Sequence, residues 1–165
     1  MRYSLAVTLP NSPAQPLLLD FIAHFARTTP HGLAVHDFTS GRRFTYAELD
    51  DFVDRAAHVL RQRLRNPQGE RVAVLSRNSA EMLALHFACV RSGAIFVPLN
   101  WRLAPSEIGF MLADCEPALL VYEPMFADRV AGQVIPALLL DDSADGFAAA
   151  ARPAPRPPEP GVGVG

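Results

Sequence analysis

RSGAIFVPLNWRL, residues 91–103, is the stretch that decides the fold. An arginine followed two residues later by a glycine is a typical helix ending, because arginine favours the last turn and glycine the position after it. A short apolar strand, Ile95–Leu99, comes next, and a polar cluster at residues 100–102 stands at its exit. A helix that returns directly to a buried strand is typical of an open α/β sheet, where ligand sites gather outside the carboxyl ends of strands.

The same alternation of strand and helix continues on both sides of this stretch. Apolar runs bounded by turn residues predict the strands, while cap residues and Pro105 predict where the helices begin. The predicted strands are residues 71–76, 95–99, 118–122 and 134–140, and the predicted helices are residues 79–92, 105–115 and 125–131. This order predicts a mostly parallel sheet with helices on both of its faces.

A helix and a β-hairpin precede this alternating part. Apolar residues at helical spacing predict a helix over residues 17–27, and two short apolar runs around residues 38–41 predict a hairpin with a four-residue loop. The hairpin leads into a long helix whose start is marked by Thr45 and Glu48, which have the spacing of a capping box. The fold class is therefore α/β, a mostly parallel sheet with helices on both faces, preceded by a helix and a hairpin.

Composition divides the chain into three parts. Residues 1–16 form a leader, and residues 17–142 form one subdomain. Residues 143–165 are rich in Ala, Pro and Gly, with little to pack, so we expect a linker or a disordered tail.

Charge and cysteine content exclude several classes of partner. The formal net charge of −2 argues against a nucleic-acid partner. The longest charge-poor stretch, residues 82–90, is far shorter than the roughly 20 residues of a membrane span, so we predict none. Cys89 and Cys115 lack metal-ligand spacing, which favours a reduced protein in the cytoplasm. All 15 basic residues are arginine, and the chain has no lysine.

The usual catalytic and cofactor motifs are missing. The turn after the strand at 71–76 has no glycine for a dinucleotide site, and a phosphate loop is impossible without lysine. His86 and Cys89 lie three residues apart on a helix, but a packed thiol and a half-buried ring are favoured over a catalytic pair or a metal site. Asp141-Asp142 and the arginines at 61–65 are interpreted as solvated groups. We therefore assign no catalytic, cofactor-binding or metal residue.

Asn100, Trp101 and Arg102 are the remaining candidates, with either a structural or a substrate-side role. Trp and Arg at a strand exit offer a stacking surface and a rigid fork of donors for a ligand. Alternatively, Asn100 and Arg102 hold the loop before the next helix through backbone hydrogen bonds. The second role is somewhat favoured, and both stay open.

Several motifs resemble those of the adenylate-forming superfamily of acyl-CoA synthetases, luciferases and peptide-synthetase adenylation domains. The segments FTYAEL at 44–49 and RSGAIFVPLN at 91–100 are similar to its first two core motifs, and RVAVLSRN at 71–78 resembles the strand and turn between them. The residues WRL at 101–103 and DCEP at 114–117 look like the fatty-acid and medium-chain CoA ligase branch. The resemblance covers roughly residues 17–142.

The resemblance implies a two-step reaction for a full-length member. A carboxylate attacks the α-phosphate of ATP to give an acyl-adenylate and pyrophosphate, and the thiol of coenzyme A then displaces AMP. Such a member needs ATP, Mg²⁺ and CoA, a glycine-rich phosphate loop with lysine, and a mobile C-terminal domain that brings a second lysine. Whether this chain is itself an enzyme stays open, and we predict no cofactor for it, because it lacks that loop and any lysine.

Three functional hypotheses follow from these observations. The first is the N-terminal part of an acyl-CoA synthetase, truncated before the phosphate loop, inactive alone, and packing against the missing remainder or self-associating through exposed apolar patches. The second is a non-catalytic interaction module or one chain of a split ligase. The third and weakest is an independent nucleotide binder at the switch point of the sheet.

Overall fold

The computed structural model describes residues 20–141 and 146–151. The elements follow the predicted order, with a 3-10 helix at Pro124–Arg129. They are α1 (Phe21–Thr28), β1 (Leu33–His36), β2 (Arg43–Thr45), α2 (Tyr46–Arg63), β3 (Arg71–Leu75), α3 (Ala80–Ser92), β4 (Ile95–Leu99), α4 (Pro105–Cys115), β5 (Leu119–Tyr122), β6 (Ala137–Leu139) and α5 (Phe147–Ala151). The predicted leader and the first turn of the predicted helix at 17–27 lie outside the described residues.

Four parallel strands form the central sheet in the order β4-β3-β5-β6, and β1 and β2 form a separate antiparallel hairpin. Successive residues of β3 lie on opposite faces of this sheet. Val72 and Val74 pack with α2, α3 and α5, whereas Ala73 and Leu75 pack with α4 and the 3-10 helix. The predicted fold class, a parallel sheet covered on both faces and preceded by a helix and hairpin, is confirmed.

Local signals position the two longest helices as predicted. The Thr45 hydroxyl accepts a hydrogen bond from the Glu48 N–H at 3.3 Å, and the Glu48 carboxylate accepts one from the Thr45 N–H at 2.8 Å, which completes the capping box at the start of α2. Helix α3 begins after Ser79, whose hydroxyl accepts from the Met82 N–H at 3.1 Å. Gly93 ends α3 with φ of 81°, a left-handed conformation that glycine adopts without strain.

Three segments differ from the sequence predictions. The strand predicted over 134–140 is only Ala137–Leu139, because a turn at Gly132, with φ of 82°, leaves Val134 fully exposed. The helix predicted over 125–131 is the 3-10 helix. Within the segment predicted to be a linker, residues 147–151 form α5, and Phe147 is fully buried against the core under α2. That part of the linker prediction is wrong because one aromatic side chain gives the alanine-rich segment enough to pack; residues 142–145 and 152–165 lie outside the described residues.

Arg91 joins the first three helices through a single guanidinium group. Its Nε contacts Asp20 at 2.7 Å, its Nη2 contacts Asp50 at 2.5 Å and its Nη1 contacts Asp54 at 2.7 Å, so one partly buried cation links α3 to α2 and to the N-cap of α1. Burial alone would raise the pKa of Asp20, but hydrogen bonds from Arg91 and from the Ala23 N–H outweigh it and lower that pKa. No helix in the described part of the chain is both long and apolar enough to cross a membrane.

Candidate functional site

Several polar side chains are grouped at the carboxyl edge of the sheet. The chain leaves β3 toward β4 on one side, whereas β5 and β6 lie on the other side, so the switch point falls between the carboxyl ends of β3 and β5. Ser76 and Arg77 follow β3 at this point, and Glu123 follows β5.

The Glu123 carboxylate lies at the switch point and accepts hydrogen bonds from the turn that follows β3. Its Oε1 accepts a hydrogen bond from the Arg77 N–H at 2.5 Å, and its Oε2 accepts from Arg77 Nε at 3.1 Å and Nη2 at 2.9 Å. The Ser76 hydroxyl lies 2.9 Å from Oε1 and 2.7 Å from the Arg77 carbonyl oxygen, and it can donate to either acceptor. Burial raises the pKa of Glu123, but these donors outweigh it and hold the pKa below its ordinary value. Sequence reasoning missed this contact because the two partners lie 46 residues apart with no local motif.

A polar cleft of about 200 Å³ adjoins this ion pair, between the hairpin turn and the start of α3. Arg42 from the hairpin pairs with both oxygens of Glu81 on α3, at 2.5 and 2.8 Å, and also contacts Asp37 at 3.3 Å. Asp37 and Glu81 are each only 8% exposed. Burial raises the pKa of Asp37, but hydrogen bonds from Ser40, Thr39 and Arg42 lower it overall, so the hairpin turn is fixed by an ionised carboxylate.

The polar cleft does not fit the phosphates of ATP. Its charged lining consists of three carboxylates and two guanidinium groups, and each guanidinium is already paired with a carboxylate. A polyphosphate would meet net negative charge there, whereas phosphate sites present free donors and positive charge. Among residues 20–141 and 146–151, no group of three or more His, Cys, Asp or Glu side chains is placed to hold a metal ion.

The predicted residues Asn100, Trp101 and Arg102 form a stacked corner at the exit of β4. The Asn100 carboxamide oxygen accepts from the Arg102 N–H at 3.0 Å, and the Arg102 guanidinium lies 4.2 Å over the Trp101 ring. Trp101 in turn stacks on Phe126 of the 3-10 helix, with ring centroids 5.9 Å apart. The Asn100 side chain thus bonds the backbone of its own loop, and the Arg102 guanidinium stacks on the Trp101 ring. The choice between a structural and a substrate-side role for these residues stays a prediction.

Arg129 performs the role that was expected of Arg102. Its Nη1 donates to the carbonyl oxygens of Trp101 at 2.7 Å and Leu103 at 2.6 Å, so it fixes the loop from the far end of the 3-10 helix. Sequence reasoning missed Arg129 because it lies 26 to 28 residues from its partners. A substrate-side role for the corner stays a prediction.

The remaining sequence candidates lie apart from one another in the fold. Cys89 is fully buried, and burial raises the pKa of its thiol to about 12. His86 is exposed and stacks on Phe96, with ring centroids 4.8 Å apart, beside a largely apolar cavity of about 340 Å³. Arg61, predicted to be solvated, donates to the carbonyl oxygen of Arg91 at 3.0 Å. Asp141 accepts a backbone hydrogen bond from Ala148, and Asp142 lies outside the described residues.

Large apolar side chains are exposed on several elements. On α1, Phe21 is 55% exposed and Phe25 packs its ring 5.0 Å from that of Tyr46, and Leu33 on β1 is 56% exposed. Phe110 on α4 is 74% exposed and Met125 in the 3-10 helix 61%. Apolar residues that are exposed singly are ordinary on a soluble domain, whereas a contiguous apolar patch would point to a partner surface.

Comparisons with known proteins give one consistent result. The sequence pattern described as "AMP-binding enzyme" matches residues 22–160. The chain is 46% identical over 91 residues to an indoleacetate–CoA ligase of Aromatoleum aromaticum and 43% identical over 106 residues to a feruloyl-CoA synthase of Amycolatopsis. These alignments cover 54% and 64% of this chain but 17% and 21% of those relatives, so the chain spans about a fifth of their length.

Solved structures agree with the sequence relatives. The N-terminal domain of FACL13 from Mycobacterium tuberculosis superposes with a TM-score of 0.70 at 30% identity, covering 81% of this chain and 35% of that one. VinN superposes with a TM-score of 0.72 at 27% identity, covering 80% of this chain and 34% of that one.

Proposed function

The chain belongs to the AMP-binding enzyme family, and we propose that it provides the N-terminal α/β subdomain of an AMP-forming acyl-CoA ligase. The observation that carries this proposal is the family match over residues 22–160, together with relatives named as CoA ligases that are about five times longer than the matched region. The ligase would join a carboxylate to ATP, release pyrophosphate, and transfer the acyl group from AMP to coenzyme A.

The proposed role of this chain is that of a scaffold. Stabilising the charge that develops on the phosphate and carboxylate oxygens requires positively charged groups aimed at those atoms. This chain has no lysine, and both guanidinium groups of its polar cleft are committed to carboxylates. We therefore propose that the residues that act on ATP, Mg²⁺ and CoA lie in other parts of the ligase, and that the 165-residue chain alone does not form acyl-adenylate.

The exposed apolar side chains support an interface with the rest of such a ligase. Phe21 and Phe25, one turn apart on α1, are candidates for that interface, with self-association as the alternative in the isolated chain. The buried Cys89 and the lack of a disulfide among the described residues are compatible with a cytoplasmic location.

A first experiment tests the absence of adenylation. The purified chain is assayed for ATP–pyrophosphate exchange that depends on an added carboxylate, with ferulate, indoleacetate and a fatty acid tested separately. We expect no exchange above a boiled-protein control. Exchange that depends on one of these carboxylates would contradict this part of the proposal.

A second experiment tests the scaffold role directly. Residues 20–151 replace the aligned segment of the Amycolatopsis feruloyl-CoA synthase, and the chimera is assayed for feruloyl-CoA formation. The controls are the unmodified synthase and the same synthase with the segment deleted. An active chimera would support the proposed subdomain, whereas a folded chimera as inactive as the deletion would favour an interaction module.

A further inference from the structure

The Glu123 carboxylate is held in the way that a protein holds a bound anion. We propose that the crevice between β3 and β5 is an anion site that the chain fills with this side chain, and that a small carboxylate takes its place when the side chain is removed. This inference does not depend on the proposed ligase function.

The set of donors distinguishes this contact from an ordinary surface ion pair. Three N–H donors meet the carboxylate: the Arg77 backbone N–H at Oε1, at 2.5 Å, and Arg77 Nε and Nη2 at Oε2, at 3.1 and 2.9 Å. The Ser76 hydroxyl also lies 2.9 Å from Oε1, but its single hydrogen is shared with the Arg77 carbonyl oxygen at 2.7 Å. By contrast, Arg55 and Asp51 on α2 make a single 3.1 Å contact. The arginine side chains of the two pairs are similarly exposed, 43% for Arg55 and 48% for Arg77, but Asp51 is 47% exposed and Glu123 only 14%. Charge-assisted, forked hydrogen bonds of the first kind are the strong and selective ones.

The Arg77 backbone N–H is fixed independently of the Glu123 side chain. Arg77 and Ser76 belong to the turn after β3, which is held by the parallel pairing of β3 with both of its neighbours. The backbone N–H of Glu123 itself donates to the Leu75 carbonyl at 3.1 Å and extends the pairing of β3 with β5. Removing the side chain beyond Cβ therefore leaves the Arg77 N–H in place beside an empty space, while the half-exposed Arg77 guanidinium loses the partner that holds it and becomes available to a replacement anion.

The position of the crevice explains why donors converge there. It is the switch point of the sheet, where doubly wound proteins bind ligands. Here the Arg77 N–H and guanidinium are occupied from within the chain. The consequence is that a nucleotide phosphate cannot use them, which argues against the hypothesis of an independent nucleotide binder at this point.

Chemical rescue tests the proposal. The substitution Glu123→Ala removes Cγ and the carboxyl group, which together have the heavy atoms of acetate. We expect E123A to have a lower Tm than the wild type, and acetate at constant ionic strength to raise it saturably, by about 5–10 °C at a hundredfold excess over Kd. Sodium chloride should not reproduce this rise, and acetate should leave the wild type and the matched control Asp51→Ala unchanged.

An equal acetate response in all three proteins, or none in folded E123A, would overturn the proposal. A second measurement decides the matter if E123A does not fold. In wild-type protein the Arg77 amide resonance should shift as Glu123 titrates in acid, and in Glu123→Gln that shift should disappear. An Arg77 amide that titrates identically in both proteins would also overturn the proposal.

Discussion

Replacing Arg91 by methionine is the perturbation whose cost can be worked most directly from the structure. The Arg91 side chain is 12% exposed and contacts carboxylates that are 23%, 29% and 69% exposed at Asp20, Asp50 and Asp54. Methionine keeps much of the apolar stem but leaves three carboxylates close together without a cation. Removing one partner from a fully buried pair costs about 3–5 kcal/mol, whereas an exposed pair is worth about 0–1 kcal/mol.

Water partly rehydrates Asp20 and Asp50 in the variant, and Asp54 is mostly solvated already, so the lower end of the buried range applies. We expect Arg91→Met to lose about 3 kcal/mol of unfolding free energy. That corresponds to a Tm lower by about 6–12 °C for a chain of this size. The assay is urea unfolding at pH 7, with Arg55→Met as the matched control because its ion pair is exposed and should matter little.

The pH dependence supplies a second, independent readout. The pKa of Asp20 is lowered in the folded chain, so its stabilisation is present above the unfolded pKa of about 3.9 and is lost as the pH falls through the folded value. The gap between wild type and Arg91→Met should therefore be full at pH 7 and shrink as the pH falls below about 4. A variant within 1 kcal/mol of wild type at pH 7, a magnitude typical of surface changes, would refute the reasoning, as would a gap that does not change with pH.

Three further predictions concern the loop after β4, the last helix and the thiols. Arg129→Met should destabilise the chain by about 1.5–3 kcal/mol, because two charge-assisted hydrogen bonds to the loop after β4 are lost. The fluorescence of Trp101, the single tryptophan, should shift to longer wavelength, and an unchanged spectrum would contradict this. Phe147→Ala should cost about 3 kcal/mol in urea unfolding by undocking α5, and a cost below 1 kcal/mol would mean that α5 contributes little. Cys89 should resist a thiol reagent at pH 8 until the chain unfolds, since burial raises the pKa of its thiol to about 12. The partly exposed Cys115 should react in the native state, and rapid labelling of both thiols would refute this prediction.

Most of the fold could be predicted because its signals are local. Thr45 and Glu48 lie three residues apart and together cap the start of α2. Gly93 ends α3 because it adopts a positive φ. The order of apolar runs then fixes a parallel sheet, because each strand must return past a helix. Local signals were weak at residues 124–139 and 147–151, and there the boundaries or types of the observed elements differ from the predicted ones.

The polar contacts of the candidate site could not be predicted in the same way. Arg77 meets Glu123 only because β3 and β5 are neighbours, and Arg42 meets Glu81 only because the hairpin folds onto α3. Both contacts depend on the topology of the chain, and a single sequence carries no pattern for pairs separated by 39 or 46 residues. The same reason explains why Arg129, and not Arg102, holds the loop at Trp101.

The central claim is that this chain acts as a structural subdomain of an acyl-CoA ligase. Feruloyl-CoA formation by the chimera that carries residues 20–151 tests it most directly. The claim predicts activity well above the segment-deleted synthase, and a further loss of thermal stability when Arg91→Met is introduced into the chimera. A chimera that folds, as judged by circular dichroism and a cooperative melt, but forms no more feruloyl-CoA than the deletion control would contradict the claim.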